Sequence, residues 1–308
     1  ETTLPEGTTS TTLDIETENK YAKVTVERID SLAYSQTNSN VKRLSTKKTF
    51  DLNSGDNYFK VTVTSENKEI INEYKIKISV IESVSIFGKQ YSVIQKAPTL
   101  TTSSNNTNDA SGLYASNDTN TGKPTYYFRG NVTNNYVKFA GFTWRIVRIN
   151  EDGSLRLIYQ GTSANATGTG TQITISTFNP SYWNNVYVGY MYTSNQAHGL
   201  GSSSTIKEVL DNWYQTNITN NGYGNKVSIE AGFCGDREPS TSSSSSNGSG
   251  GTGTTTTYYG GYIRFTNSTK SPTLKCKNSS DLYTVSGSSK GNKALSNPIG
   301  LITADEVT

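Results

Sequence analysis

Histidine and methionine each occur once in 308 residues, cysteine twice and proline seven times. With His198 as the only imidazole, zinc sites built on two or three histidines are excluded, and a four-ligand site would need both cysteines plus a carboxylate. Charge is also scarce. Asp, Glu, Lys and Arg make up 17% of the chain, the net charge is only +3, and no block of like charge occurs. Such a balance makes no electrostatic funnel for nucleic acid, so no nucleic-acid partner is expected. No apolar run approaches the roughly 20 residues that span a bilayer, so no membrane span is expected in this segment. The glycines of "TGTGT" follow no strand and open no helix, which excludes a nucleotide fingerprint, and no G-x-S-x-G elbow is present. No cofactor is expected.

The hydrophobic fraction, 32%, is low, and Ser, Thr, Asn and Gly fill the gap, so uncharged polar surface replaces charged surface. Tyrosine, at 20 residues, is the abundant large side chain. Tyr and Thr suit strands better than helical cores. The composition therefore points to a mainly β protein that is secreted or displayed on a cell surface, and Glu1, with no initiator Met, reads as a cut end of something longer.

Period-two spacing carries the fold class. In "YFKVTVT" Phe59, Val61 and Val63 alternate with polar residues, "SENKE" turns, and "EYKIKISV" alternates Tyr74, Ile76, Ile78 and Val80. This is an antiparallel hairpin with one buried face. Together with "YAKVTVE" upstream it predicts a small sandwich over residues 18–82, flanked by linkers at 1–17 and 83–122. The stretch "LNSGDNYFKVTVTSENKEIINEYKIKISV" resembles the last two strands of the Ig/cadherin-like β-sandwich module of bacterial surface proteins. The resemblance covers about the first 80 residues and implies a spacer or stalk with no catalytic residue.

Residues 123–308 predict an α+β domain. It opens with "YYFRGNVTNNYVKFAGFTWRIVRI", and "FTWRIVRINEDGSLRLIY", which begins inside that stretch, is a hairpin whose turn carries Asp152 and Gly153. Were this stretch a ligand surface, Arg145, Arg148 and Arg156 would form it. Strict alternation, however, sends Arg145 and Arg148 to opposite sides and favours structural arginines. One helix is clear, at about 205–218: Ile206, Val209, Leu210 and Trp213 recur at helical spacing behind a Thr205/Glu208 capping box. A low-complexity insertion follows at about 239–257. Near the end, a short strand is expected around Gly300 to Ile302, then a second capping box at Thr303 and Glu306 with too little helix after it to stand alone. That end predicts an incomplete domain. The wording from about Gly112 to Thr308 resembles uncharacterised surface proteins of low-GC Gram-positive bacteria, a family that implies location but no activity.

Few residues could carry chemistry. Cys234 and Cys276 flank the insertion, and in an exported chain they most simply form one disulfide; two free thiols are the alternative. Closing that loop would stabilise by about 4 kcal/mol in the chain-entropy treatment. Asn150, Asp152 and Gly153 have calcium-loop spacing, but Arg148 stands where a first ligand belongs. Asp236 and Glu238 are the nearest thing to a glycosidase pair, beside a floppy insertion. The reading is an extracellular or cell-surface modular protein for binding, adhesion or display, fitted to a glycan or a host or cell-wall polymer. A carbohydrate-active enzyme and a purely structural stalk or filament subunit are the alternatives.

Overall fold

The computed structural model describes residues 1–5, 7–29, 47–100, 109–181, 183–196, 199–238, 258–266 and 270–307, so His198 and the low-complexity insertion lie outside the described residues. The chain is mainly β and divides into two compact units, Glu1–Gln95 and Lys96–Thr308.

The first unit holds strands β1 (Thr2–Leu4), β2 (Ser10–Asp14), β3 (Lys23–Ile29), β4 (Lys47–Asp51), β5 (Gly55–Thr64), β6 (Ile71–Val80), β7 (Ser83–Ile86) and β8 (Lys89–Ser92). A four-stranded sheet in the order β1-β6-β5-β3 packs against the β2-β4 pair, and β7-β8 is a separate hairpin. The expected hairpin is β5-β6, with Phe59 opposite Ile76 and Val61 opposite Tyr74. Between the sheets Val24, Val26, Leu52, Phe59, Val61, Ile78 and Val80 form the core, with Leu4, Leu13, Ile15 and Phe50 packed on it.

Three sequence expectations are corrected here. Residues 1–17 are not a linker, because β1 pairs in parallel with β6 and β2 pairs with β4, putting Leu4 and Leu13 on the core. Thr-rich segments are competent strands once a partner edge is offered. Residues 83–122 are not linker throughout either: they contain β7, β8 and β9 (Gly112–Ser116), whose Leu113 and Tyr114 are fully buried. Tyr74, assigned to the buried face, is 56% exposed even though Val61, paired with it, lies in the core.

The second unit is built on a five-stranded sheet of β9, β10 (Thr125–Arg129), β11 (Tyr136–Phe139), β12 (Phe142–Ile149) and β13 (Leu155–Gly161). Strand β12 is its centre. Along one edge it meets β11 over Phe142–Arg145 and β10 at Arg148 and Ile149; the other edge carries β13. Short pairs follow, β14 (Met191–Tyr192) with β15 (Ser202–Ser203) and β16 (Phe233–Cys234) with β17 (Leu282–Tyr283), along with helices α1 (Thr205–Tyr214), α2 (Gly260–Thr266) and α3 (Ala304–Val307).

Helix α1 continues as a π turn over Gln215–Thr219, where the Asn220 amide donates to the Gln215 carbonyl at 3.0 Å. Its cap is Ser204, one residue before the expected box: the Ser204 hydroxyl accepts from the Lys207 amide at 3.1 Å. The deeply buried side chains are Lys207, Leu210, Tyr214 and Ile218, a stripe rotated from the predicted one. The helix serves two neighbours, which explains the rotation. Ile206 and Leu210 join a core with Tyr190, Tyr283 and Leu295, whereas Trp213 turns to the sheet and meets Phe142, Trp144 and Tyr159, ring centroids 5.4 to 6.1 Å away. No strand forms at Gly300–Ile302, where Gly300 lies flush on the Phe233 ring with no room for a Cβ.

Candidate functional site

The β12-β13 hairpin turns where expected. Asn150 and Gly153 close it, Asp152 caps the Ser154 amide at 3.0 Å, and Gly153 takes a φ of +83° that a side chain would resist. No metal is needed to explain these residues. Burial pushes the Asp152 carboxyl up, but the Ser154 hydroxyl and amide outweigh it and hold the group below its ordinary value.

The pairing is not regular. Ile146 faces Leu157 and Arg148 faces Arg156, so Val147 is an extra residue, a β-bulge. One added residue inverts the alternation, and Arg145 and Arg148 therefore share a face. This corrects the opposite-side expectation, which assumed an unbroken period of two. The three arginines still do not make one strip. Arg145 donates to the Tyr136 hydroxyl at 2.6 Å and lies over that ring, whereas Arg148 and Arg156 converge on Glu306 at 3.5 and 3.3 Å.

Glu306 belongs to α3, a single turn that would not persist in isolation. The expected capping box is present, with Thr303 and Glu306 exchanging backbone-to-side-chain bonds of 3.1 Å each. Arg264 forks onto Asp305 at 2.9 and 2.7 Å and reaches Asp236 at 2.6 Å, and Asp305 also accepts from the Thr273 amide. Arginines thus clamp both carboxylates of the turn. Arg148 also donates to the Leu274 carbonyl, and Arg156 donates to that of Gly232 while lying 4.5 Å from the Phe233 ring centroid. Burial lowers the Arg156 guanidinium to about 10, against the pull of Glu306 and with the push of Arg148, so it stays charged at neutrality. Two cations on one carboxylate leave an excess positive charge below the surface.

Above this floor opens a cleft of about 480 Å³. The disulfide Cys234–Cys276, with Cα atoms 5.4 Å apart, contributes to its wall. Its charged lining is mixed, with Arg148, Arg156, Lys277 and Lys290 against Glu151, Asp152 and Glu230, and among the described residues no aromatic ring lines it. Glu230 is fixed by the hydroxyls of Ser288 and Ser289 and by the Ser289 amide, which hold its carboxyl below the ordinary range.

Asp236 and Glu238 each face a cation. The first is taken by Arg264 and the second pairs with Lys277 at 3.0 Å. His198 lies outside the described residues. Among those described, no three His, Cys, Asp or Glu side chains gather as a metal site would need, and no helix is long and apolar enough to cross a membrane. The partners of the arginines were hidden in the sequence. Glu306 lies far along the sequence from Arg148, and only its capping-box position marked it.

Residues 1–80 match the cadherin-like beta sandwich domain family. Neither a curated protein nor a solved structure matches the chain.

Proposed function

We propose that the protein works outside the cell as a modular binding or display protein, with the cadherin-like sandwich as its spacer and the cleft of the second unit as its ligand face. The cleft carries this reading, since a depression of about 480 Å³ lined by charged and polar side chains is of the size that holds a small ligand or one residue of a polymer. The disulfide supports the location, because such bonds persist in oxidising compartments. So does the resemblance of residues 112–308 to surface proteins of low-GC Gram-positive bacteria.

The lining narrows the ligand. Among the described residues the lining has no aromatic platform on which a sugar ring would stack, and its charge of both signs is not that of a polyanion site. It fits a hydroxylated polymer that bears amino and carboxylate groups, as glycopeptide cell-wall material does. Arg148 and Arg156 act mainly from beneath, while Lys277 and Lys290 offer charge-assisted hydrogen bonds at the wall. Binding is preferred here to the alternative of a carbohydrate-active enzyme because Asp236 and Glu238, the carboxylates that alternative would draw on, are both engaged with cations.

The test is binding to purified peptidoglycan and to an immobilised glycan array, comparing the parent with a Lys277→Ala, Lys290→Ala double variant. Binding by the parent, weakened about tenfold in the variant through loss of about 1.4 kcal/mol, is the expected result. Undiminished binding by the variant would move the ligand elsewhere on the molecule.

A further inference from the structure

The first turns of α1 bury a lysine. Lys207 is 3% exposed, and its Nζ lies 2.5 Å from Oδ2 of Asp211, one helical turn on. On a helix surface such a pair would be an ordinary ion pair worth a few tenths of a kcal/mol. Here two further features make it different. The other oxygen of the same carboxylate, Asp211 Oδ1, accepts from Nδ2 of Asn297 at 3.0 Å, a residue brought in from a distant segment of the chain. The group also sits against the apolar cluster of Tyr190, Leu210, Tyr283 and Leu295, with the Lys207 ammonium 6.0 Å from the Tyr190 ring centroid. An amine, a carboxamide and a carboxylate that touches both are thus held together beside a low-dielectric wall.

We propose that Lys207 and Asn297 become joined by an amide bond, formed by the folded protein itself with Asp211 as the proton carrier. Asp211, whose Oδ2 lies 2.5 Å from the ammonium, takes one proton from Lys207 as the nitrogen becomes a nucleophile. That amine attacks Cγ of Asn297, and a bond forms between Nζ and Cγ. Asp211 relays protons to Nδ2, the bond between Cγ and Nδ2 breaks, and the asparagine nitrogen departs. Of the three ammonium protons of Lys207, one remains on the new amide, and two leave with the asparagine nitrogen and its own two hydrogens as ammonium. Asp211 returns to the carboxylate. No oxidant, reductant or cofactor enters. The carboxylate acts at both nitrogens because the helix holds Lys207 and Asp211 on one face, at i and i+4, while the segment before Ile299 brings Asn297 to the other carboxylate oxygen.

The product is a neutral link between α1 and the Leu295–Ile299 segment. It removes a buried ammonium from the core and ties together parts of the second unit that the Cys234–Cys276 bond leaves unlinked. For a protein exposed to proteases and mechanical load, such a bond slows unfolding where reduction cannot undo it.

Mass spectrometry of the intact, reduced chain tests this. The expected mass is lower than that of the sequence by one ammonia, and a tryptic digest contains the Lys207 and Asn297 peptides covalently joined. Lys207→Arg keeps a cation beside Asp211 without a nucleophilic amine, and Asp211→Asn removes the proton carrier; both should show the full sequence mass and unlinked peptides. The parent measurement decides even if a variant fails to fold. A parent of full mass overturns the proposal. So does a parent lacking one ammonia whose two peptides run separately, because an asparagine succinimide loses the same mass without a cross-link.

Discussion

Trp144 and the arginines around it divide the work of the central hairpin by chemistry. Trp144 packs edge-on against Tyr159 and Trp213, and its indole N–H donates to the Phe139 carbonyl at 2.9 Å. Trp144→Ala should therefore cost on the order of 3 to 5 kcal/mol. Arg156 lies beneath the surface and shares Glu306 with Arg148, and removing it strands part of a buried ionic cluster; Arg156→Ala should cost on the order of 3 kcal/mol. Arg145 has a hydroxyl and a ring as partners, so Arg145→Ala should cost only about 1 kcal/mol. Urea midpoints of the three variants check the ranking. An Arg156 variant as stable as the parent would mean that Glu306 does not depend on its cations.

At the scale of elements, the turns are held by carboxylates, and one of them gives a pH signature. Glu230 ties the Ser288–Lys290 turn to its own, and the Ser289 hydroxyl leads the groups that depress its carboxyl below the ordinary 4.5. A depressed acid stabilises the fold above its unfolded value and loses that contribution as pH falls through the folded one. The gap in stability between parent and Glu230→Gln should accordingly be present at neutrality and close in acid well below 4.5. Denaturant midpoints at both conditions measure it, and a gap that persists in acid would assign the effect to shape rather than charge.

The elements also show what was legible in the sequence. The β5-β6 and β12-β13 hairpins, the helix and the capping box at Thr303 could be read from local periodicity and turn residues, because the forces that make them act within a few positions. Three things could not be read that way. The bulge at Val147 obeys pairing with β13, not the residue's own preference. The Thr-rich start pairs only because β6 and β4 offer edges. The buried Lys207 reads as a surface residue until Asp211 and Asn297 are brought to it across the fold. Of the candidate site, Arg148 and Arg156 were recognisable as a feature, whereas Lys277, Lys290 and Glu230 belong to irregular segments whose meeting no spacing foretells.

For the whole molecule, the two units differ: residues 1–80 match a cadherin-like beta sandwich, and the polar cleft belongs to the second unit. Each has a core of its own, Phe59 and Ile78 in one, Tyr190 and Tyr283 in the other, so each should fold when produced alone. That independence allows the central claim, a ligand face on the second unit and a spacer ahead of it, to be tested in one measurement. Binding to purified peptidoglycan is compared for the full chain, residues 1–95 and residues 96–308, with the fold of each verified by circular dichroism. The account predicts that residues 96–308 bind as tightly as the full chain and that the folded sandwich does not bind. Binding by residues 1–95, with none by a folded 96–308, would contradict it.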